Sequence, residues 1–131
     1  MIAIINGVPL DVIDFVPFCH SGCAVAASEY SVEIVLQSHP RKAVAFRRTQ
    51  SIIIDPRFWN SLSWVGRIAV IGHELAHIMG ADCEQCADFY AGRLIAHCAF
   101  DEGEAFEAFR SLSRRSDYSA FIEGLNNGRQ F

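Results

Sequence analysis

His73, Glu74 and His77 are the residues whose types and spacing most plainly allow chemistry, in the run His73-Glu74-Leu75-Ala76-His77. On a helix, positions four apart share a face, so the two imidazoles can close on one tetrahedral zinc ion. Glu74 flanks that face, where it can take a proton from a water activated by zinc. The neighbours sharpen the reading. Val70, Ile71, Leu75, Ala76, Ile78 and Met79 are apolar, and Glu74 carries the only formal charge between Arg67 and Asp82. Burying such polar groups without partners costs about 2–7 kcal/mol each, a penalty that a shared metal removes.

Two histidines leave a catalytic zinc short of a third protein ligand and an open position for water. Asp82, Cys83, Glu84, Cys86 and Asp88 follow closely. On a straight helix Glu84 would lie roughly 16 Å along the axis from His73, so Gly80 has to let the chain fold back as a tight helical hairpin. Glu84 then enters the first turn of the second helix, and Asp88 shares its face.

The run Glu84-Gln85-Cys86-Ala87-Asp88 behind H-E-x-x-H resembles the gluzincin metallopeptidases, whose second motif reads E-x-x-[AS]-[DN] on a later helix. The resemblance implies Glu84 as third zinc ligand and Asp88 as acceptor of a hydrogen bond from His73, fixing that imidazole's tautomer. Phe89-Tyr90-Ala91-Gly92 is similar to the family's continuation of that helix. An isoleucine-rich strand, a tryptophan and Arg67 ahead of His73 resemble the small bacterial and phage-type members called minigluzincins. The likeness spans roughly residues 51–96. Its departure is the gap of six residues between His77 and Glu84, much shorter than in most members. A second register resembles the metzincin signature H-E-x-x-H-x-x-G-x-x-H/D, with Gly80 in place and Cys83 at the ligand position. Cys83 and Asp82 therefore stand as alternative ligands, although only Glu84 comes with Asp88.

Other groups admit chemistry of their own. Cys19 and Cys23, with Cys83 and Cys86, could supply four thiolates to a second, structural zinc; small buried thiols are the plainer expectation. A Cys19 or Cys23 thiolate on the catalytic zinc would make a latency switch. Tyr90, Tyr118 and Arg93 could stabilise a tetrahedral oxyanion, beside a simpler structural role. His97 falls on the side of its helix away from Glu84.

The elements that must position these residues are legible in outline. At 131 residues the chain fits a single domain, 1–131, with 51% hydrophobic and 20% charged residues, an ordinary globular composition. A net charge of −4 gives no case for a nucleic-acid partner, and the pairs Arg41-Lys42, Arg47-Arg48 and Arg114-Arg115 read as solvated faces. The apolar start lacks a basic leader, and no run reaches a membrane span, so a cytoplasmic protein is expected. Five cysteines argue against a disulfide framework.

Asn6-Gly7 between Ile2–Ile5 and Val8–Val12 signals a hairpin, with Pro9 on an edge. Asp14–Ala27 reads as loop-rich. Tyr30 to Gln37 alternates as a strand, His39–Lys42 turns, and Ala43–Asp55 returns as strand until Pro56 stops it. Asn60 or Ser61 can cap a helix to about Met79, ended by Gly80. Asp82, with Gln85, can cap a second helix to about Cys98. Asp101 and Glu104 mark a third, with Ala105, Phe106, Phe109 and Leu112 inward, Phe121 also reading as core. Ser116 or Asp117 starts a fourth through Leu125. Strands first and helices second predict an α+β fold: a small, mostly antiparallel N-terminal sheet, then a helical half carrying the motif helix and its hairpin.

These elements point to a zinc metalloendopeptidase, with zinc on His73, His77 and Glu84 and Glu74 as general base. The strand ending at Ile52–Ile54 is expected to hold a peptide or protein substrate in extended form at a sheet edge. So short a chain leaves little wall around a cleft, so selectivity is loose or comes from a partner protein. The rival is a zinc-stabilised protein-binding module, for instance in phage or mobile-element biology; it has no need of Glu74.

Overall fold

Asn6 and Gly7 turn the chain with φ of 50° and 80°, angles suited to a two-residue hairpin. They join β1 (Ile2–Ile5) to β2 (Val8–Asp11) in antiparallel register, Ile5 opposite Val8. The structure, a computed structural model, describes residues 2–11, 29–98, 100–112 and 118–129. Cys19, Cys23 and the segment expected to be loop-rich lie outside them, as do Ser116 and Asp117.

β3 (Glu29–Leu36), β4 (Ala43–Phe46) and β5 (Ser51–Ile54) complete one five-stranded sheet of order β2-β1-β3-β5-β4. Pro9 therefore sits on an edge strand, where its missing N–H breaks no ladder. The α+β class stands. The sheet is mixed rather than mostly antiparallel: the two outer pairings are antiparallel, while β1–β3 and β3–β5 are parallel. Alternation reports which face is buried, not strand direction. The chain from β1 to β3 and from β3 to β5 is long enough for a return crossover.

A second correction bears on function. Ala43–Asp55 is two strands joined by the turn at residues 47–50, where Gln50 has φ of 50°. β5 is interior, and the edge strand is β4. Asp55 N–H donates to the Lys42 carbonyl at 2.7 Å. By the alternation of an antiparallel ladder, Ala43 and Ala45 then turn their peptide groups away from β5, towards the open edge.

Pro56 stops β5 and begins a helix. Asp55 accepts from Arg57 N–H at 2.9 Å and Pro56 supplies a preset first turn, so α1 (Pro56–Ser61) follows β5 directly. Leu62 is extended, and Ser63, not Asn60 or Ser61, caps α2 (Trp64–Ile78) through Gly66 N–H at 3.2 Å. Arg67 bonds the Trp59 carbonyl at 3.2 Å and lies 4.5 Å from that indole's centre, fixing the angle between α1 and α2.

α2 is buried on nearly every side. Val70, Leu75, Ala76, Ile78 and Met79 join Val32, Ile52 and Ile54 of the sheet in one core. Val65 and Ala69 join a second core with α3 (Glu84–His97), α4 (Glu102–Leu112) and α5 (Ser119–Gly128). Asp101 and Glu104 cap α4 reciprocally, at 2.8 and 3.1 Å, as their spacing predicts. Ala105 and Phe109 face inward and Phe121 is buried, but Phe106 is 59% exposed, so it is not core. No helix of the described residues is long and apolar enough to cross a membrane.

Candidate metal centre

The site is built at the junction of α2 and α3. Gly80, at φ 118°, lets α2 end in a Schellman turn: Ala81 N–H donates to Ala76 O at 2.9 Å and Gly80 N–H to His77 O at 3.2 Å. Three residues later α3 starts back. Cys83, not Asp82, caps it, its sulfur accepting from Cys86 N–H at 3.3 Å. Gly72 adds no bulk where α3 returns: a Cβ there would meet Leu94 Cδ2 at 2.9 Å and Ala91 Cα at 3.5 Å. The tight hairpin that the short gap requires is thereby formed.

Glu84, in the first turn of α3, reaches across to both imidazoles. Its Oε2 lies 2.9 Å from His73 Nε2 and its Oε1 lies 3.1 Å from His77 Nε2. The opposite ring nitrogens are also engaged. His73 Nδ1 stands 2.8 Å from Asp88 Oδ1, and His77 Nδ1 donates to the Ala81 carbonyl at 2.9 Å. Carboxylate and carbonyl oxygens only accept, so both Nδ1 atoms carry protons and both Nε2 atoms present a lone pair or a proton towards Glu84. A lone pair facing a carboxylate oxygen repels it. Something positive therefore belongs between them, either protons or one cation.

The donor set suits a cation. One atom each from His73, His77 and Glu84 lies within 4.8 Å of the others, and this group could hold a metal ion. Ligands 2.0–2.2 Å from a tetrahedral ion stand about 3.3 Å apart, so the observed contacts need open by only a few tenths of an ångström. Of the alternatives, the Cys83 sulfur is occupied as the α3 cap, and Asp82 turns out to Arg47 at 3.5 Å. Neither joins the group, because both precede the first turn of α3 and only Glu84 is on the face that looks back at α2. Cys86 is buried and Cys83 half-buried; a four-cysteine zinc would need Cys19 and Cys23, which lie outside the described residues.

The protonation balance follows from the crowding. Burial pushes the His73 imidazole down, but the Asp88 and Glu84 carboxylates override it and lift its pKa to about 9. Burial likewise depresses His77, and Glu84 with the Ala81 carbonyl raises it on balance. The hydrogen bonds from His73 and His77 hold the Glu84 carboxyl far below its usual range. Glu74 goes the other way: burial raises it, against the pull of His73 and His77. Its Oε1 is 4.0 Å from His73 Nε2, and it has no hydrogen bond among the described residues.

Arg47, which with Arg48 reads in the sequence as a solvated pair, belongs to the site: its Nε donates to His77 O at 2.8 Å and its Nη2 to Ala81 O at 3.2 Å. It thus caps α2 and holds the carbonyl that orients His77. No local signal marks it, because its partners lie 30 and 34 residues away. The suggested oxyanion residues are elsewhere: Tyr90 is wholly buried, Tyr118 meets Phe109 edge to face with centroids 3.9 Å apart, and neither they nor Arg93 line the cleft beside the ligands. His97 is exposed in the last turn of α3.

Compared with known proteins, the chain matches no family, no curated protein and no solved structure.

Proposed function

We propose that the chain is a small zinc metallopeptidase of gluzincin type, acting in the cytoplasm on peptide or protein substrates. The observation that carries this reading is the shared carboxylate. Glu84 spans both Nε2 atoms while Glu74 stands buried beside them, uncommitted to any hydrogen bond among the described residues. Zinc suits two imidazoles and a carboxylate, and would supply a Lewis acid for a peptide carbonyl and a water. Glu74 takes a proton from that water and passes it to the departing nitrogen. The water oxygen bonds to the carbonyl carbon as the C–N bond breaks, so one water is consumed and no electrons are exchanged. Asp88 and Ala81 hold the two imidazoles in the tautomer that presents Nε2.

The Ala43 N–H is taken by the Arg41 carbonyl at 2.7 Å, but the outward Ala43 carbonyl and the Ala45 peptide groups on β4 offer an extended substrate an edge to pair with, alongside Glu74 and Glu84. Free thiols at Cys83 and Cys98 agree with a reducing compartment. A zinc-stabilised binding module would need the three ligands but has no use for a buried Glu74 that makes no hydrogen bond among the described residues. The test is Glu74→Gln. It is expected to keep the zinc and lose hydrolysis by about 10²–10⁴-fold, the usual worth of a positioned base. Full activity in this variant contradicts the role of Glu74, and loss of zinc would make Glu74 a ligand.

A further inference from the structure

Beside the ligands a cleft of about 730 Å³ opens between the turn after β3, α1, the start of α2 and the end of α4. His73, Glu74 and Glu84 form one end of it. Away from that end its walls carry Arg41, Lys42 and Arg110 against one acid, Glu107, over apolar surface from Phe58, Leu62 and Leu112. Lys42 is engaged, its Nζ 5.3 Å from the Phe58 ring centre. Arg41 and Arg110 are exposed; Arg41 draws on the Glu74 carboxylate only through its charge, and neither guanidinium makes a hydrogen bond or close ion pair among the described residues.

Their positions are fixed by the backbone. Asp55 accepts from His39 N–H at 3.1 Å and Arg57 N–H at 2.9 Å, tying the Arg41 turn to the start of α1. Arg110 rides on α4, whose first turn the Asp101–Glu104 pair locks. The opposite side of the site differs. There a smaller cleft, about 520 Å³, shares Arg41 with the larger one, and its second arginine, Arg47, is already paired with Asp82 and two carbonyls.

A guanidinium is a planar fork of donors that fits a carboxylate with two parallel hydrogen bonds, and it does so better beside apolar surface than in open water. We propose that the larger cleft is a carboxylate-binding subsite, in which Arg41 and Arg110 receive an acidic side chain or the C-terminal carboxylate of a peptide. The proposal rests on the peptidase reading for the peptide itself, and on Arg41 and Arg110 alone for the charge.

Both sources of the carboxylate are separable by calorimetry. The zinc-loaded Glu74→Gln chain, which leaves bound peptide intact, is titrated with a short neutral peptide amidated at its C-terminus. The same peptide follows with a free C-terminus, and then amidated with a glutamate moved through each position. At low salt, one carboxylate form is expected to bind about tenfold tighter than the neutral peptide. A gain with the free terminus assigns a chain-end subsite, and a gain with glutamate at one position assigns a side-chain subsite. With Arg41→Gln and Arg110→Gln combined, the ratio should fall to within about twofold. Arg48→Gln, exposed and outside the cleft, should preserve it. Equal affinities, no binding of any form, or a preference that survives the double variant overturns the subsite. Hydrolysis by the wild-type chain is scored separately. Carboxylate preference without cleavage overturns the peptidase reading and leaves the subsite standing; cleavage without preference does the reverse.

Discussion

At its N-terminal end α3 offers Glu84 and Asp88 to two imidazoles at 2.8–3.1 Å, while two turns further on, at Gly92, its backbone closes on that of α5. A Cβ on Gly92 would stand 2.8 Å from Leu125 N and overlap the Phe121 carbonyl; one on Gly124 would overlap the carbonyl of Phe89. One helix is thus fixed by charge and hydrogen bonds at one end and by shape at the other. The first end answers to metal, protons and salt. The second answers to volume. This division explains how a small domain can hold polar groups ready for chemistry: rigidity comes from packing far from the site, and the site keeps its ligands in position to exchange protons for a cation.

Substitutions should separate the two ends. Glu84→Ala removes one of the three ligands, so zinc affinity should fall roughly 10²–10³-fold, about a quarter of the 10–16 kcal/mol of a four-ligand site. Asp88→Ala should cost about 10–100-fold, because it frees the His73 ring without removing a ligand. Competition with a chelator measures both. Gly124→Ala should leave zinc affinity alone and lower folding stability by about 1–3 kcal/mol, read from a denaturant midpoint. A fall in zinc affinity with Gly124→Ala would erase the distinction.

Protons sharpen the same contrast. In zinc-free protein the His73 pKa is raised from 6.5 to about 9, so its contribution to stability is complete below pH 6.5 and disappears as pH rises through about 9. Zinc takes the neutral ring, so its uptake should release protons over that window. A pH-independent affinity between 6.5 and 9 would contradict the proton count. At the glycine crossing no such dependence is expected. Arg47→Ala should weaken zinc only a few-fold, since the side chain is half exposed, and Arg47→Lys should restore part of it. Cys83→Ser should be silent for the metal, because serine caps a helix as well as the thiol does.

How far these features were legible depends on their distance along the chain. His73, Glu74 and His77 are set by helical periodicity, and the Asp101–Glu104 cap by a spacing of three; both are local and both are found in the fold. Glu84 and Asp88 were legible through a motif, with Gly80 as the hinge that makes the short gap workable. Strand direction was not, since alternation is the same in parallel and antiparallel sheets, and so β5 was taken for the edge that β4 provides. Pro56 reads equally as the stop of a strand or the first residue of a helix, and α1 was lost to that ambiguity. Phe106 fits the helical spacing of its neighbours yet lies at the rim of the buried face. Arg47 joins elements that only the fold brings together.

The most direct test of the central claim is elemental analysis of the chain purified without added metal and again after zinc reconstitution. The arrangement of His73, His77 and Glu84 predicts about one zinc per chain in the wild type and almost none in His77→Ala. Less than about half an equivalent of any transition metal in the reconstituted wild type, or full zinc retained by His77→Ala, contradicts it.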